Sequence, residues 1–414
     1  MYKESELDSL IICKKCHTLH ETISIEHGEL ATCSECDTIL YSCDKQLVTK
    51  GLALSIASLS LLFIANFFKL VKIDFLGSEQ HITILQTILR LYEKGFWFVG
   101  TMSGLLIFVF PFMIVLIHMT FFFLLYTKQA PYLTYRILIM LGHILPWHMS
   151  NIFLVSILIA LVKLIGYVSI EMGIAFFALL GFVVIDLYIV RIMPMHTLWS
   201  NYNNIYANKN SMPKFHNRPL LRCPLCDATN YDKGKNTKCR RCNAGVYTYR
   251  HFKNERSLAF LITAIIAYIP ANIYPMLITK NFGSETSSTI MGGIMLLWEQ
   301  GSIPIAGIVF FASIFVPIAK FIIIAYLLVN ARYPKEELSN KTKKNMFYLA
   351  EIVGPWSMID VFVVAILASL IHLQSVQIIA GEAATAFALS VFFTLLAAQN
   401  FDIGSIEKKR INYE

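Results

Sequence analysis

The chain has 414 residues, of which 56% are hydrophobic and only 15% are charged, and its formal net charge is +8. Apolar runs long enough to cross a hydrocarbon core about 30 Å thick recur along it, since roughly 20 helical residues suffice. This composition excludes a disordered chain, a secreted disulfide scaffold and a water-soluble enzyme, and it indicates a polytopic membrane protein.

The first predicted element is a polar, cysteine-rich domain over residues 1–48. It is too polar to be a cleaved signal sequence, so we expect it to remain in the mature protein. Two Cys-x2-Cys pairs, Cys13 with Cys16 and Cys33 with Cys36, are separated by 16 residues. Because two such pairs complete the tetrahedral thiolate site that Zn²⁺ prefers, the spacing predicts a zinc ribbon.

Other interpretations of these cysteines are iron in a rubredoxin-like site, a redox-active dithiol, or two disulfide-stapled loops, the last requiring an oxidising compartment. Three histidines near the quartet are expected to be surface residues, because four thiolates already fill the site; they are His17, His20 and His27. The ninth cysteine, Cys43, has no assigned role.

A first membrane module is predicted over residues 49–200 and a second over residues 255–404. Each contains four stretches with few or no charged side chains, which predict four transmembrane helices. The predicted spans are 51–70, 99–126, 149–167, 172–190, 258–279, 303–329, 357–379 and 383–400. The predicted fold class is an all-α polytopic membrane protein in which each four-helix module follows a small β-containing ribbon.

Between the modules, residues 201–254 are predicted to form a second zinc ribbon. Its pairs, Cys223 with Cys226 and Cys239 with Cys242, are separated by 12 residues. Both sites are closed by four thiolates, so we expect two structural Zn²⁺ ions, one per ribbon. Basic residues such as Arg240 leave nucleic-acid binding as an alternative, but ribbons tethered beside a membrane are expected to contact anionic lipid or a partner instead.

Positive charge is distributed unevenly between the predicted loops. The side that holds both termini and the middle segment has 28 Lys and Arg residues, whereas the opposite side with its span ends has six. Because Lys and Arg are retained on the cytoplasmic side, we predict that both termini, both ribbons and the tail over residues 405–414 are cytoplasmic.

The two modules repeat each other at offsets of 206 to 210 residues. Cys33 maps onto Cys239 at an offset of 206, and Trp147 maps onto Trp356 at 209. Since four spans return the chain to its starting side, the copies are predicted to be tandem parallel repeats.

An apolar stripe with helical spacing follows the first span of each copy, beginning at Leu85 in one and at Met291 in the other. We interpret the pair as helices at the outer face of the bilayer. The alternative is an extension of the second span of each module.

Polar residues inside the predicted spans are few, and each is costly there without a partner. Asn66 and Asn272 occupy equivalent positions and are expected to hydrogen-bond across helices or to water. Pro270 precedes the second of these and is expected to bend its helix and open a polar notch.

Lys320 lies inside the sixth predicted span, where an ammonium needs a counter-charge, a carbonyl or a wet cavity, and Asp360 or Glu351 can supply the counter-charge. A conduit or lipid-headgroup site and a purely structural pair are equally consistent with this pattern. Glu299 is expected at the outer interface. The candidate residues for a lipid path are Asn66, Asn272, Pro270, Glu299, Lys320, Trp356, Ser357 and Asp360.

The sequence contains no nucleotide-binding loop, nucleophile elbow or metalloprotease signature. We therefore do not expect an enzyme. Energy for any transport would come from a partner, a lipid gradient or the proton-motive force.

Several segments resemble the paraquat-inducible protein A family. They are Tyr268-Ile-Pro-Ala-Asn272, Leu297-Trp-Glu-Gln-Gly301, Val316-Pro-Ile-Ala-Lys320 and Trp356-Ser-Met-Ile-Asp-Val-Phe-Val-Val-Ala365. The resemblance implies an inner-membrane protein of Gram-negative bacteria that acts with a periplasmic MCE-domain protein to move lipid. Pro355 and Gly404 stand where the family commonly has arginine, so no role of those arginines is carried over.

These observations together predict an inner-membrane subunit of an envelope lipid-transport system. It would pass phospholipid to or from a periplasmic MCE-domain partner through a polar-lined groove, with no nucleic-acid partner. The alternatives are a membrane-tethered zinc-ribbon sensor or stress-response scaffold, and an intramembrane enzyme acting on lipid.

Overall fold

The computed structural model describes residues 2–16, 18–75, 78–164, 169–206, 215–216, 220–232, 237–246, 251–281, 284–299, 301, 303–333, 339–370 and 376–401. His17 and the predicted tail over 405–414 lie outside these residues, so the predictions for them stay untested. The side chain of Glu351, one candidate partner of Lys320, is also outside the description.

The strands are short. They are β1 (Tyr2–Lys3), β2 (Leu10–Ile12), β3 (Leu19–Glu21), β4 (Leu30–Thr32), β5 (Ile39–Ser42), β6 (Val71–Phe75), β7 (Ser78–Ile82), β8 (Ser169–Met172), β9 (Phe215–His216), β10 (Leu220–Arg222), β11 (Thr229–Tyr231), β12 (Leu277–Asn281), β13 (Ser284–Ser288) and β14 (Val376–Ala380).

Helices make up most of the described chain. They are α1 (Leu47–Phe67), α2 (Ile84–Glu93), α3 (Trp97–Ser103), α4 (Phe110–Thr127), α5 (Pro131–Ile144), α6 (Ser150–Leu164), α7 (Ile174–Ile192), α8 (Met195–Tyr206), α9 (His251–Ile273), α10 (Ile290–Glu299), α11 (Ile303–Phe310), α12 (Val316–Arg332), α13 (Asn340–Val353), α14 (Met358–Leu370) and α15 (Glu382–Asn400).

Within the described residues, seven helical segments are long and apolar enough to cross a membrane. They are Leu47–Phe67, Trp97–Thr127, Pro131–Leu161, Ile174–Ile192, Lys253–Ile273, Ala306–Arg332 and Glu382–Asn400. The third begins well before the predicted 149–167, because α5 runs through a short 3-10 turn towards α6. The predicted span over 357–379 starts as α14, but residues 376–379 belong to β14.

Packing divides the chain into two compact units. The first contains Met1–Leu61, Phe110–His148 and Gly181–Arg250, and the second contains Leu62–Val109, Met149–Leu180 and His251–Glu414. The first unit therefore holds both ribbons together with helices of the first module only. This grouping cuts across the domain boundaries drawn from the sequence, which stay predictions.

Large apolar side chains form the core of the first unit. Phe121 and Phe122 on α4, Leu138 on α5 and Trp199 on α8 are all buried in it. The four cysteines of the second ribbon belong to the same buried cluster. The second ribbon is thus packed against membrane-module helices.

The second unit contains two small antiparallel sheets that the sequence did not predict. One has the strand order β7-β6-β8 and the other β13-β12-β14. In each, a hairpin after the first helix of a module pairs with a strand that follows α6 in one module and α14 in the other, as in Ile73↔Ile170 and Thr279↔Ile378. The repeat therefore extends to elements outside the helices.

Each module also contains the same two departures from α-helix. A π-helical turn occurs at Gly104–Val109 and again at Phe311–Phe315, just before the prolines of α4 and α12. A 3-10 turn separates α5 from α6 at Leu145–Trp147 and α13 from α14 at Gly354–Ser357. Since π-helical turns often mark functional positions, their duplication points to a constraint shared by both modules.

The predicted apolar stripes form α2 and α10, which are separate helices rather than extensions of the second spans. Gly95 and Gly301 follow them with φ angles of +82° and +78°. Only glycine adopts this left-handed backbone at little cost, so each ends its helix sharply. Whether these helices lie at the outer face of the bilayer stays a prediction.

Candidate functional site

Both cysteine quartets form the paired turns predicted from their spacing. In all four turns the backbone N–H of the first cysteine donates to the carbonyl of the residue two positions after the second cysteine, as in Cys33 N–H to Thr38 O at 2.9 Å and Cys239 N–H to Ala244 O at 2.7 Å. Lys15 and Arg241 donate their backbone N–H groups to Cys13 Sγ and Cys239 Sγ, both at 3.4 Å. Such donors stabilise thiolates.

The sulfur atoms of each quartet converge on one point. In each ribbon, the four Sγ atoms lie within 4.8 Å of one another. Four converging sulfurs with backbone N–H donors around them fit a tetrahedral ion held by thiolates. Each quartet can therefore hold one metal ion.

The second ribbon is fixed to α5 through a glycine. A Cβ atom on Gly142 would lie 2.8 Å from Leu225 Cδ1 and 3.0 Å from the Leu225 carbonyl oxygen. Leu225 sits between Cys223 and Cys226 in the first turn of the ribbon. The absent side chain at Gly142 thus lets the metal-binding turn lie directly on the helix.

The two ribbons also contact each other within the first unit. Tyr2 pairs with His216 across β1 and β9, and Thr229 Oγ1 donates to the Leu10 carbonyl at 2.7 Å. Arg240 donates to the Asp8 carboxylate at 2.6 Å. Burial alone would raise the Asp8 pKa, but the charges and hydrogen bonds of Arg240 and Arg241 outweigh it and leave the pKa below its usual range.

Lys320 is almost completely buried, with 2% of its surface exposed. Its Nζ donates to the Gly354 carbonyl at 3.3 Å and to Ser357 Oγ at 3.4 Å. Both partners lie in the 3-10 turn between α13 and α14, where carbonyls are not fully used by helical hydrogen bonds. The structure therefore brings the predicted Lys320 and Ser357 together at a helix break.

Three other predicted residues differ in exposure; Trp356 and Asp360 lie beside Ser357 along the chain, whereas Glu299 lies on α10. Asp360 is buried in the first turn of α14, one helical turn after Ser357, whereas the Trp356 side chain is 49% exposed. Glu299 ends α10 and is exposed, as expected for an interfacial carboxylate.

The amide nitrogens of the two equivalent asparagines bond locally rather than across helices, and Asn66 Oδ1 is buried with no hydrogen-bond partner among the described residues. Asn66 Nδ2 donates to the Leu62 carbonyl at 2.8 Å, and Asn272 Nδ2 donates to the Tyr268 carbonyl at 2.9 Å. Each therefore bonds one turn back along its own helix. Pro270 lies inside α9, which continues to Ile273.

A tyrosine that sequence reasoning missed supports the second π-helical turn. Pro317 has no N–H to donate to the Ser313 carbonyl four residues earlier. The Tyr268 hydroxyl donates to that carbonyl instead, at 3.1 Å. The signal was present in the sequence, since Tyr268 stands beside the Pro-Ala-Asn motif, but its partner lies 45 residues away.

The first module has its own buried polar contact, also missed. His148 Nε2 lies 3.0 Å from Asp186 Oδ2, directly after the 3-10 turn Leu145–Trp147. At the offset of 209, His148 corresponds to Ser357. Both helix breaks therefore carry a polar side chain at the same position, which the aligned repeat could have indicated.

Comparison with known proteins places the chain in a family. The model of the family described as "Paraquat-inducible protein A" matches residues 48–203 and again residues 254–408. No solved structure matches the chain significantly.

Curated relatives extend over nearly the whole length. "Intermembrane transport protein PqiA" of Escherichia coli (strain K12) is 31% identical over 95% of this chain and 94% of the relative. A "Probable intermembrane transport protein" of Haemophilus influenzae is 26% identical, again over 95% and 94%. "Lipophilic envelope-spanning tunnel protein A" of Escherichia coli (strain K12) is 27% identical over 94% and 89%. The chain belongs to the paraquat-inducible protein A family.

Proposed function

We propose that this protein is the inner-membrane subunit of a lipid-transport system of a Gram-negative envelope, and that it passes phospholipid to or from a periplasmic MCE-domain partner. The observation that carries the proposal is the match over 95% of the chain with a protein named for intermembrane transport. A relative named as an envelope-spanning tunnel protein supports the same role.

The proposed site of lipid contact is Lys320 on α12 together with the 3-10 turn Gly354–Ser357 that its side chain contacts. Among the described residues, the buried Lys320 ammonium donates to a carbonyl and a hydroxyl, and because neither neutral partner cancels its charge, it keeps an attraction for an anion. A lipid phosphate is the anion most abundant in a membrane. Asp360 and Ser357, on the same segment, would complete a polar lining of the transport groove.

Both cysteine quartets are proposed to hold Zn²⁺, and their role is structural. Four thiolates leave no open position for water or substrate, so the ions would stabilise the ribbons rather than take part in chemistry. The bias of Lys and Arg supports a cytoplasmic location for both ribbons and both termini, which is part of the proposal. Transport without chemical conversion of the lipid is the expected activity.

The direct test is lipid transfer from a defined membrane. The full chain is reconstituted in vesicles that contain a fluorescent phospholipid, and a soluble MCE-domain protein from the same genome is added as acceptor. We expect faster transfer than from protein-free vesicles, with lipid of unchanged mass on the acceptor. Absence of transfer would contradict the proposal, and chemically altered lipid would indicate an enzyme.

The sensor hypothesis makes a separable prediction. If the ribbons act on a cytoplasmic partner and the helices serve only as an anchor, the phenotype of a deletion strain would be restored by ribbons carried on an unrelated membrane anchor. Packing of the second ribbon against Leu138 and Trp199 argues against such independence. We expect restoration only by the full chain.

A further inference from the structure

The two ribbons carry different residues at one equivalent position beside the metal site. The offset of 210 that relates Cys13 to Cys223 also relates His20 to Asn230. Each lies on the second strand of its hairpin, in the register Ile11↔His20 and Leu221↔Asn230. The repeat therefore preserves the backbone position while the side chain changes from imidazole to amide.

Both side chains reach the same cysteine of their quartets. His20 Nε2 lies 3.1 Å from Cys33 Sγ, and Asn230 Nδ2 lies 3.5 Å from Cys239 Sγ. Cys33 and Cys239 are the third cysteines of their ribbons. A nitrogen at this position is thus adjacent to a metal-binding sulfur in both sites.

The amide in the second ribbon is held in place. Asn230 is 3% exposed, its Nδ2 also donates to the Ala228 carbonyl at 2.8 Å, and its Oδ1 accepts the Arg240 backbone N–H at 2.9 Å. All four cysteines of this ribbon are buried. An amide so fixed orients the sulfur and is unavailable as a ligand.

The first ribbon has neither constraint. His20 is only partly buried, and Cys16 and Cys36 are partly exposed to solvent. Imidazole is itself a common zinc ligand, and sites with three cysteines and one histidine are frequent. The first quartet therefore has a fifth ligand at hand and an open side through which metal can leave.

We propose that the first ribbon is an exchangeable zinc site in which His20 is a spare ligand, whereas the second ribbon releases its ion only slowly. In the exchange step the bond between zinc and the sulfur of Cys16 or Cys36 breaks, and its electron pair stays on sulfur. The Nε2 lone pair of His20 forms the new bond. No electron or proton is transferred and the number of ligands is unchanged, and an incoming acceptor would then displace the neutral imidazole more readily than a thiolate.

The inference uses the proposed zinc occupancy but not lipid transport, so the two can fail separately. Metal analysis of the purified full chain first establishes two zinc ions per chain. A failure there removes this inference and leaves the transport assay unaffected.

Replacement of single cysteines in the cobalt-loaded full chain tests the spare ligand. We expect Cys36→Ala to retain cobalt at the first site, with the absorption of a site with three thiolates and one nitrogen, and to lose it when His20→Ala is added. The matched Cys242→Ala variant is expected to lose the cobalt of the second site. Loss of cobalt in Cys36→Ala, or equal retention with and without His20, would overturn the proposal.

Zinc release from the wild-type quartets gives a second readout that does not depend on a damaged site. With a chromophoric chelator in excess, we expect one ion to leave fast and one slowly, and alkylation with mass spectrometry to find the freed thiols in the first ribbon. His20→Ala should slow the fast phase by roughly tenfold or more. A purely orienting histidine would give the opposite result, because losing a neighbour that stabilises the ligands weakens binding by roughly 10- to 100-fold and speeds release.

Asn230→Ala is the matched control for this kinetic test. Since Asn230 only orients its cysteine, we expect the slow phase to accelerate and the fast phase to stay unchanged. Equal release rates for the two ions in the wild-type protein would contradict the proposal outright.

Discussion

Replacing Gly142 by alanine tests whether the second ribbon is seated on α5. The new methyl group would lie 2.8 Å from Leu225 Cδ1 and 3.0 Å from the Leu225 carbonyl oxygen. The leucine side chain can rotate away, but the carbonyl belongs to the turn between Cys223 and Cys226 and cannot move without shifting the metal site. The substitution therefore forces the ribbon away from the helix.

The expected magnitude follows from two opposing terms. Overpacking of this kind costs about 1–3 kcal/mol, whereas alanine is favoured over glycine within a helix by about 1 kcal/mol. The second term is isolated by Gly293→Ala in α10, where a Cβ atom would have nothing within 4 Å. The difference between the two variants is then the steric cost of displacing the ribbon.

Amide hydrogen exchange measures this cost locally, which matters because a chain with two compact units need not unfold in one step. Each 1.4 kcal/mol corresponds to a factor of ten in protection. The change in protection around Leu225 caused by Gly142→Ala should therefore be less favourable than the change in protection of α10 caused by Gly293→Ala, by about 5- to 150-fold. If Gly142→Ala changed protection around Leu225 by the same factor as Gly293→Ala changes protection of α10, direct packing of the second ribbon on α5 would be refuted.

Two further predictions concern buried polar groups. His196 lies outside the candidate membrane spans, and burial, aided by the positive charge of Arg241, lowers its pKa to about 4. As the pH falls, the imidazole therefore becomes protonated in the unfolded chain before it does so in the folded chain. Stability is fully present above pH about 6.5 and declines by about 3 kcal/mol towards pH 4, and thermal unfolding of His196→Gln should lack this slope. Tyr268→Phe should cost about 1–3 kcal/mol by leaving the Ser313 carbonyl unpaired, and Pro317→Ala should suppress the loss by restoring an N–H donor, which a double-mutant cycle of unfolding measures. A His196→Gln profile with the wild-type slope, or additive effects in the cycle, would contradict these assignments.

The metal-binding turns and the duplication could be predicted because their signals are local. Two cysteines separated by two residues define a ligand pair regardless of the rest of the fold, and four such pairs recur here. The structure adds that Asp227 and Asn243 have positive φ angles directly after their pairs. Asparagine and aspartate tolerate this conformation, which is consistent with a tight turn at those positions.

The two small sheets were missed because their pairing is not local. In β6, Ile73 pairs with Ile170, almost a hundred residues later, and the hairpin strand β7 is largely polar. Short strands of mixed polarity between apolar helices give no strong period, so no strand was predicted there, and parts of β12 and β14 were included in the predicted spans 258–279 and 357–379. That the same sheet occurs in both modules becomes visible only once the pairing of the strands is known.

The partners of the polar residues could not be predicted for a related reason. The sequence left a counter-charge, a carbonyl or a wet cavity open for Lys320, and the structure places the Gly354 carbonyl and Ser357 Oγ against its Nζ, neither of which could be named from the sequence. Backbone carbonyls have no sequence signature, and within a helix they become available where the regular hydrogen bonding is interrupted, here at a 3-10 turn. The close contact between Leu225 and Gly142 likewise gives no signal in the sequence.

The most direct test of a role for Lys320 in lipid transport is to measure phospholipid transfer by two matched lysine variants. Lys320→Met keeps the volume of the side chain but removes the ammonium at the Gly354 carbonyl, whereas Lys128→Met removes an exposed lysine after α4. Both variants are expected to fold and to retain metal in both ribbons, since replacing a buried charge by an apolar group of similar size is often tolerated. We expect phospholipid transfer to the MCE-domain acceptor to fall to the protein-free level in Lys320→Met and to stay at the wild-type rate in Lys128→Met. Wild-type transfer by Lys320→Met would contradict a role for the buried lysine in moving lipid.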